Sequence, residues 1–307
     1  MELIKPGINI NFIGRMKMFF FISIILTVAS ILFLVLRGGP NLGIDFAGGT
    51  SLQIKFNQAT TIDKIRQTLD SINLGKNSII QQVGSKGDNE FLLRTEVTTS
   101  DLKGLTDKIE ETLSAAYGKG AIEIRKAEVV GPKAGKDLSR KGFLALCFSF
   151  IGMLIYISWR YEFRFALGGI LALIHDVIVT VGVFTLMGKE FTLTVIAALL
   201  TIVGFSINDT VVVFDRIREN IKKSTKGSLG EIMNASINQT LSRTILTSLT
   251  VVLVLLALLF FGGEVLRDFT ITLLIGVVFG TYSSVFIASP LVLIWENYRP
   301  TLKKKKK

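Results

Sequence analysis

The chain has 307 residues, 49 % of them drawn from Ala, Val, Ile, Leu, Met, Phe, Trp, Tyr and Cys, and 35 Lys and Arg against 24 Asp and Glu leave a net charge of +11. A basic excess alone would fit nucleic acid, but a mean hydropathy of +0.52 excludes a soluble nucleic-acid-binding protein. The apolar residues stand in long blocks, so the chain reads as a membrane protein. Its single Cys, Cys147, and single His leave neither a disulfide framework nor a Cys/His zinc site.

After a polar start at 1–17, the stretch 18–36 is the first of six long enough and apolar enough to cross roughly 30 Å of hydrocarbon. It runs into Arg37-Gly-Gly-Pro40 with no small-x-small cleavage site, so it reads as a retained anchor. Residues 37–141 form a domain of their own. Glycine-rich at its start, it continues with alternating runs at 51–56, 78–83, 90–96 and 121–130 that predict strands. Amphipathic stretches at 61–72 and 100–117 predict helices, and a Gly/Ser/Asp turn is expected at 84–89. The order βαββαβ is that of a ferredoxin-like unit.

Five further spans follow at 142–159, 165–187, 191–214, 244–262 and 269–295. Between the fourth and fifth lies a basic stretch, 215–243. Its i,i+4 pair Glu219 and Lys223, and the apolar stripe Leu229, Ile232, Met233, Ile237 and Leu241, predict two short helices along the membrane surface. The basic tail 296–307, with Lys303 to Lys307, would be drawn to anionic headgroups. Placing both termini inside puts 17 of the 35 Lys and Arg on the inner side and only Lys189 and Arg267 in the short outer turns. The expectation is a polytopic α-helical membrane protein of six transmembrane helices, with one α+β ferredoxin-like extracytoplasmic domain between helices 1 and 2.

An ionisable group at membrane depth costs at least ~2.5–3.5 kcal/mol, so it is kept where it is paired or useful. His175 and Asp176 fall in the middle of the third span and Asp209 toward the inner end of the fourth, with Ser206, Asn208 and Thr210 beside it. Arg243 stands at the inner mouth of the fifth span, and an ion pair between Asp209 and Arg243 is expected if those helices are neighbours. An Asp that meets its Arg in one conformation and not in another gains and loses a proton as helices move, whereas a static inter-helix clamp is the plainer alternative. Three other signals fail. Gly131 to Asp137 lacks the spacing and the Ser/Thr of a phosphate loop, the Asn-x-Ser/Thr triplets fall in the membrane or on its inner side, and the two aspartates differ in depth too much for an aspartyl protease.

Gly43-Ile-Asp-Phe-Ala-Gly-Gly-Thr50, Leu173-Ile-His-Asp-Val177 and Gly204-Phe-Ser-Ile-Asn-Asp-Thr-Val-Val-Val-Phe-Asp-Arg-Ile-Arg-Glu-Asn220 resemble the SecD/SecF family of bacterial protein export, within the RND superfamily. The resemblance continues through Gln239 to Thr244 and Gly262-Gly263 and is of the SecF type. It implies a non-enzymatic subunit that pairs with SecD and serves the SecYEG channel, the SecA ATPase and a YajC-type accessory protein. It also implies use of the proton motive force on preproteins at the cytoplasmic (inner) membrane. By position it implies a proton relay at Asp209 and Arg243, which the polar residues Ser206, Asn208, Thr210, His175 and Asp176 of the same spans would support. Gly43, Asp45, Gly48 and Gly49 would form a hinge motif at the start of the outer domain. No cofactor or metal is implied beyond the H⁺ gradient, although Asp209 would serve Na⁺ as well. A small-molecule exporter of the same superfamily and a structural scaffold are the rival readings.

Overall fold

The computed structural model describes residues 8–76, 78–83, 89–95, 102–223 and 227–298. The basic run Lys303 to Lys307, Lys226 and most of the turn at 84–89 lie outside them. The chain divides into two units, one of Leu42–Phe143 with Glu190–Leu193, the other of the remaining helices.

In the first unit, strands β1 (Gly49–Phe56), β2 (Ser78–Val83), β3 (Glu90–Thr95) and β4 (Ile122–Val130) form an antiparallel sheet in the order β2-β3-β1-β4. Helix α1 of the chain, Met16–Leu36, precedes this unit, and a short α2, Ile44–Ala47, opens it. Helix α3 (Ile62–Asp70) joins β1 to β2 and α4 (Leu102–Tyr117) joins β3 to β4, which completes the expected βαββαβ order. Alternation sends Leu52, Ile54, Phe56, Phe91 and Leu93 from the sheet, and Ile65, Leu69, Ile109 and Leu113 from the helices, into one apolar core. A bulge shifts the β1–β4 register, Gln53 facing Lys126 and Ile54 facing Ile124, so Arg125 is the extra residue.

The second unit is helical. It contains α1, the part of α5 (Pro132–Arg160) from Leu144 onward, α6 (Phe163–Leu186), α7 (Leu193–Lys223) from Thr194 onward, α8 (Leu229–Phe261), α9 (Gly263–Ser283) and α10 (Ser289–Tyr298). Six helical spans are long and apolar enough to cross a membrane. Those of α6, α7 and α9–α10 are mostly buried, whereas α1, α5 and α8 turn most of their surface outward. Small residues let the backbones approach. A Cβ on Gly182 would meet Ser30 of α1, one on Gly276 would meet Ile202, and one on Gly280 would meet the Ser206 Cβ at 3.0 Å. A π-helical turn, Ser284–Ala288, links α9 to α10 just before Pro290, whose missing N–H cannot continue the regular ladder.

Three element boundaries differ from the sequence expectation. Helix α5 begins at Pro132, a residue pre-set for a first helical position, and its Lys- and Arg-rich early turns hide it from a hydropathy reading. The two surface helices expected within 215–243 do not form as separate elements. Helix α7 continues to Lys223 and α8 starts at Leu229 under a Ser228–Glu231 capping box, so both halves of the stretch are extensions of spanning helices. The pairing of Glu219 with Lys223, at 2.5 Å, supports the first extension. Met233 and Ile237 of the predicted stripe are buried in the bundle core.

Candidate functional site

The buried polar groups of the bundle gather on α6, α7, α8 and α9. Asp176 of α6 is fully buried, and its Oδ2 accepts hydrogen bonds from the hydroxyls of Ser206 on α7 and Ser283 on α9, each at 2.7 Å. Its Oδ1 lies 3.0 Å from His175 Nδ1. One carboxylate therefore ties three helices together. Asp209, 2 % exposed on α7, is held more loosely, the Ser248 hydroxyl of α8 donating to its Oδ2 at 3.4 Å. Ser248 also shares a 2.7 Å hydrogen bond with Thr281 of α9. Because α7 runs on to Lys223, Asp209 stands about 21 Å from that helix's end at 1.5 Å per residue.

The expected ion pair between Asp209 and Arg243 is not formed. Arg243 is exposed, and no salt bridge joins the two among the described residues. The buried stripe of α8 runs through Met233, Ser236, Ile237, Thr240, Thr244 and Ser248, and Arg243 lies just beyond its edge, about 20° past Ser236 and well round the helix from Ser248. Ser248 therefore takes the position facing Asp209. The polar patch around Asp209 divides by the same geometry. Ser206 serves Asp176 instead, and Thr210 bonds back to the Ser206 carbonyl at 3.0 Å. Asn208 lies about 200° round the helix from Ser206 and is exposed.

Several contacts carry residues to which the sequence reading gave no task. Arg164, at the start of α6, pairs with Glu296 of α10 and with Glu162 at 2.7 Å; Arg164 and Glu296 are 4 % and 8 % exposed. Spacing hides that pair, because its members are 132 residues apart. The Asp-Arg-Ile-Arg-Glu-Asn stretch of α7 clamps neighbouring helix ends. Asp215 faces Arg160 at 3.3 Å, and Arg218 donates to the Arg160 carbonyl. Arg216 and Asn220 both donate to the Gln239 amide oxygen of α8. Beside them, burial and then Asp215 push the Tyr161 phenol up to about 12. Asn234 and Asn238 of α8 hold the backbone of Ile10, Phe12 and Ile13 by hydrogen bonds of 2.8–3.2 Å.

In the sheet unit, Asp45 accepts a hydrogen bond from the Leu193 backbone N–H at 2.9 Å, and the Gly43 N–H donates to the Phe191 carbonyl at 2.9 Å. The ring of Phe46 lies 6.1 Å from that of Phe191, and Arg94 pairs with Glu190. Gly48 and Gly49 take φ of +79° and +126°, and a Cβ on Gly48 would meet Pro132 at 2.9 Å. The motif's aspartate and glycines thus fix backbone in this unit, with segment 190–193 as the partner that the sequence did not reveal.

Residues 109–298 match the family model for the C-terminal part of the protein export membrane proteins SecD/SecF, and residues 33–60 match the SecD/SecF GG motif. The protein translocase subunit SecF of Calditerrivibrio nitroreducens is 47 % identical over 302 residues, 97 % of this chain and 98 % of that one. The SecF of Vibrio alginolyticus is 42 % identical, over 95 % of this chain and 91 % of that one. The crystal structure of SecDF, a translocon-associated membrane protein from Thermus thermophilus, superposes with a TM-score of 0.84 at 37 % identity, covering 95 % of this chain and 39 % of that one. A super-membrane-facing form of SecDF gives 0.69 at the same identity, covering 97 % of this chain and 40 % of that one. The chain thus spans about two-fifths of the solved SecDF polypeptides.

Proposed function

The chain belongs to the SecD/SecF family of protein-export membrane proteins, and from that membership and the buried acids of its bundle we propose that it is the SecF subunit of the Sec machinery. It is a multi-pass protein of the bacterial cytoplasmic membrane with both termini in the cytoplasm. With SecD it draws preproteins through SecYEG after SecA has begun their passage, alongside a YajC-type accessory protein, and it performs no covalent chemistry. The energy comes from the ion gradient. One charge moving down 100 mV yields about 2.3 kcal/mol, enough for small cycles of movement in the outer domain around Gly43, Asp45, Gly48 and Gly49.

The observation that carries this reading is Asp209, buried on a spanning helix, with a long 3.4 Å hydrogen bond from Ser248 and Thr247 also beside its carboxyl. A carboxylate so placed exchanges its proton at little structural cost. Arg243, just beyond the edge of the facing stripe, would reach Asp209 after a rotation of α8 and stabilise its ionised form. In vesicles reconstituted with SecD, SecYEG and SecA, Asp209→Asn is expected to reduce gradient-stimulated export to the gradient-free rate while leaving SecA-driven initiation intact. Export at the wild-type rate would remove Asp209 from the relay and favour the scaffold reading.

A further inference from the structure

Ser248 differs from other hydroxyls of α8 in its direction. Ser236, Thr240, Thr247 and Thr250 each donate to a carbonyl three or four residues earlier on their own helix, whereas both contacts of Ser248 cross to other helices. One reaches Asp209 of α7 at 3.4 Å and the other Thr281 of α9 at 2.7 Å. Thr281 lies in turn 2.8 Å from the Val277 carbonyl of its own helix, which can only accept. The four groups form one chain of contacts, from Asp209 through Ser248 and Thr281 to Val277.

That chain has three contacts, and its two hydroxyls own two hydrogens. With Asp209 ionised, Ser248 donates to the carboxylate, Thr281 donates to Ser248, and the Val277 carbonyl loses its side-chain donor. With Asp209 protonated, the acid donates to Ser248, Ser248 to Thr281 and Thr281 to Val277, so all three contacts are filled. We infer that Ser248 and Thr281 are positioning residues for Asp209, a pair of hydroxyls that reverse direction together and carry its protonation state from α7 across α8 to α9. The reversal makes or releases a back-bond at Thr281, of the kind that bends a helix. Two residues on, Ser283 holds Asp176, and the π-helical turn begins at Ser284, so the bend acts where α9 is already irregular. Little else bears on these groups. Arg243 and Thr247 of α8 lie toward Asp209, and neither α8 from Thr244 to Phe261 nor α9 from Phe269 to Ser283 carries a charge. The inference rests on the proposed proton exchange at Asp209 and adds the route by which neighbouring helices sense it.

Substitutions of similar shape separate the hydroxyl from its packing. In vesicles reconstituted with SecD, SecYEG and SecA, Thr281→Val is expected to lose the gradient-stimulated part of export and keep the gradient-free rate, and Thr281→Ser to regain it. Ser248→Ala and Ser248→Thr should divide in the same way. A second measurement needs no export. In infrared spectra of the full chain in lipid, acidification is expected to raise a protonated-carboxyl band that is missing from Asp209→Asn. Thr281→Val should shift that band, although among the described residues Thr281 meets Asp209 only through Ser248, and Thr281→Ser should return it. Gradient-stimulated export by Thr281→Val at the parent rate while Asp209→Asn is impaired, no such Asp209 band while the chain stays folded, or a band unmoved in Thr281→Val would overturn the inference. Parent-rate export by Asp209→Asn beside a shifted band in Thr281→Val would instead remove the proposed relay and leave the hydroxyl pair standing.

Discussion

Asp176 and Asp209 are both buried in the same bundle, and their surroundings differ in kind. Asp176 has a partner on α7, another on α9 and a third in the residue before it, all within 3.0 Å. Asp209 has Ser248 at 3.4 Å, with Arg243 on the flank of the facing helix. The first acid is a fastening whose loss would disturb three helices, whereas the second has slack. Slack is what a group needs if its proton is to come and go as helices move. Burial and charge alone would have ranked the two alike, and hydrogen-bond count separates them.

The largest stability effect is expected where a fastening is cut without relief. Arg164→Ala removes the buried guanidinium that Glu296 pairs with, and should lower stability by about 3–5 kcal/mol in thermal unfolding of the detergent-solubilised chain. Replacing Arg164 and Glu296 together by Leu should cost much less. Next, Asp176→Leu removes the acceptor of the Ser206 hydroxyl and the contacts to Ser283 and His175, at about 1–3 kcal/mol for each buried polar group left unsatisfied, while Asp176→Asn keeps most of them and costs less. A loss for Asp176→Leu no greater than for Asp209→Asn would break the comparison. Gly280→Ala, whose Cβ would press on Ser206, should cost about 1–3 kcal/mol by parting α7 from α9 at the Asp176 site.

Smaller effects sharpen the contrast. Asp209→Asn changes only loosely held contacts, the hydrogen bond from Ser248 being 3.4 Å long, and should stay within about 1 kcal/mol of the parent in the same unfolding assay. At the clamp beside Asp215, Tyr161 has an ordinary value near 10 and a folded value of about 12. Because the folded state favours its protonated form, that contribution is present below pH 10 and is lost as pH rises through 12. Tyr161→Phe should flatten the alkaline limb of the stability profile within that window and leave the neutral region unchanged.

The six spans and the order of the sheet unit were legible because hydrophobic blocks and alternation are local signals. Residues 51–56 and 78–83 needed only their own pattern to be read as strands. The limits of α5 and α7 were not, since polar turns at a membrane helix's end look like loop in a hydropathy window. Within the site, Asp209, Asp176 and His175 stood out because charge is rare at membrane depth. Ser248 and Ser283 did not, because a serine in a span is unremarkable until the fold brings it opposite an acid. Arg243 and Asn208 were misplaced by a residue or two of helical phase, which the turn count decides and linear spacing does not. Arg164 with Glu296, and Asp45 with Leu193, join segments more than a hundred residues apart and needed the folded chain.

The central claim is that Asp209 couples an ion gradient to export, and it is tested most directly by preprotein export into vesicles at separately clamped H⁺ and Na⁺ gradients, comparing the parent with Asp209→Asn. The parent is expected to be accelerated by the inward gradient of the coupling ion, and Asp209→Asn to run at the gradient-free rate under every condition. A variant that responds to the gradient as fully as the parent would contradict it.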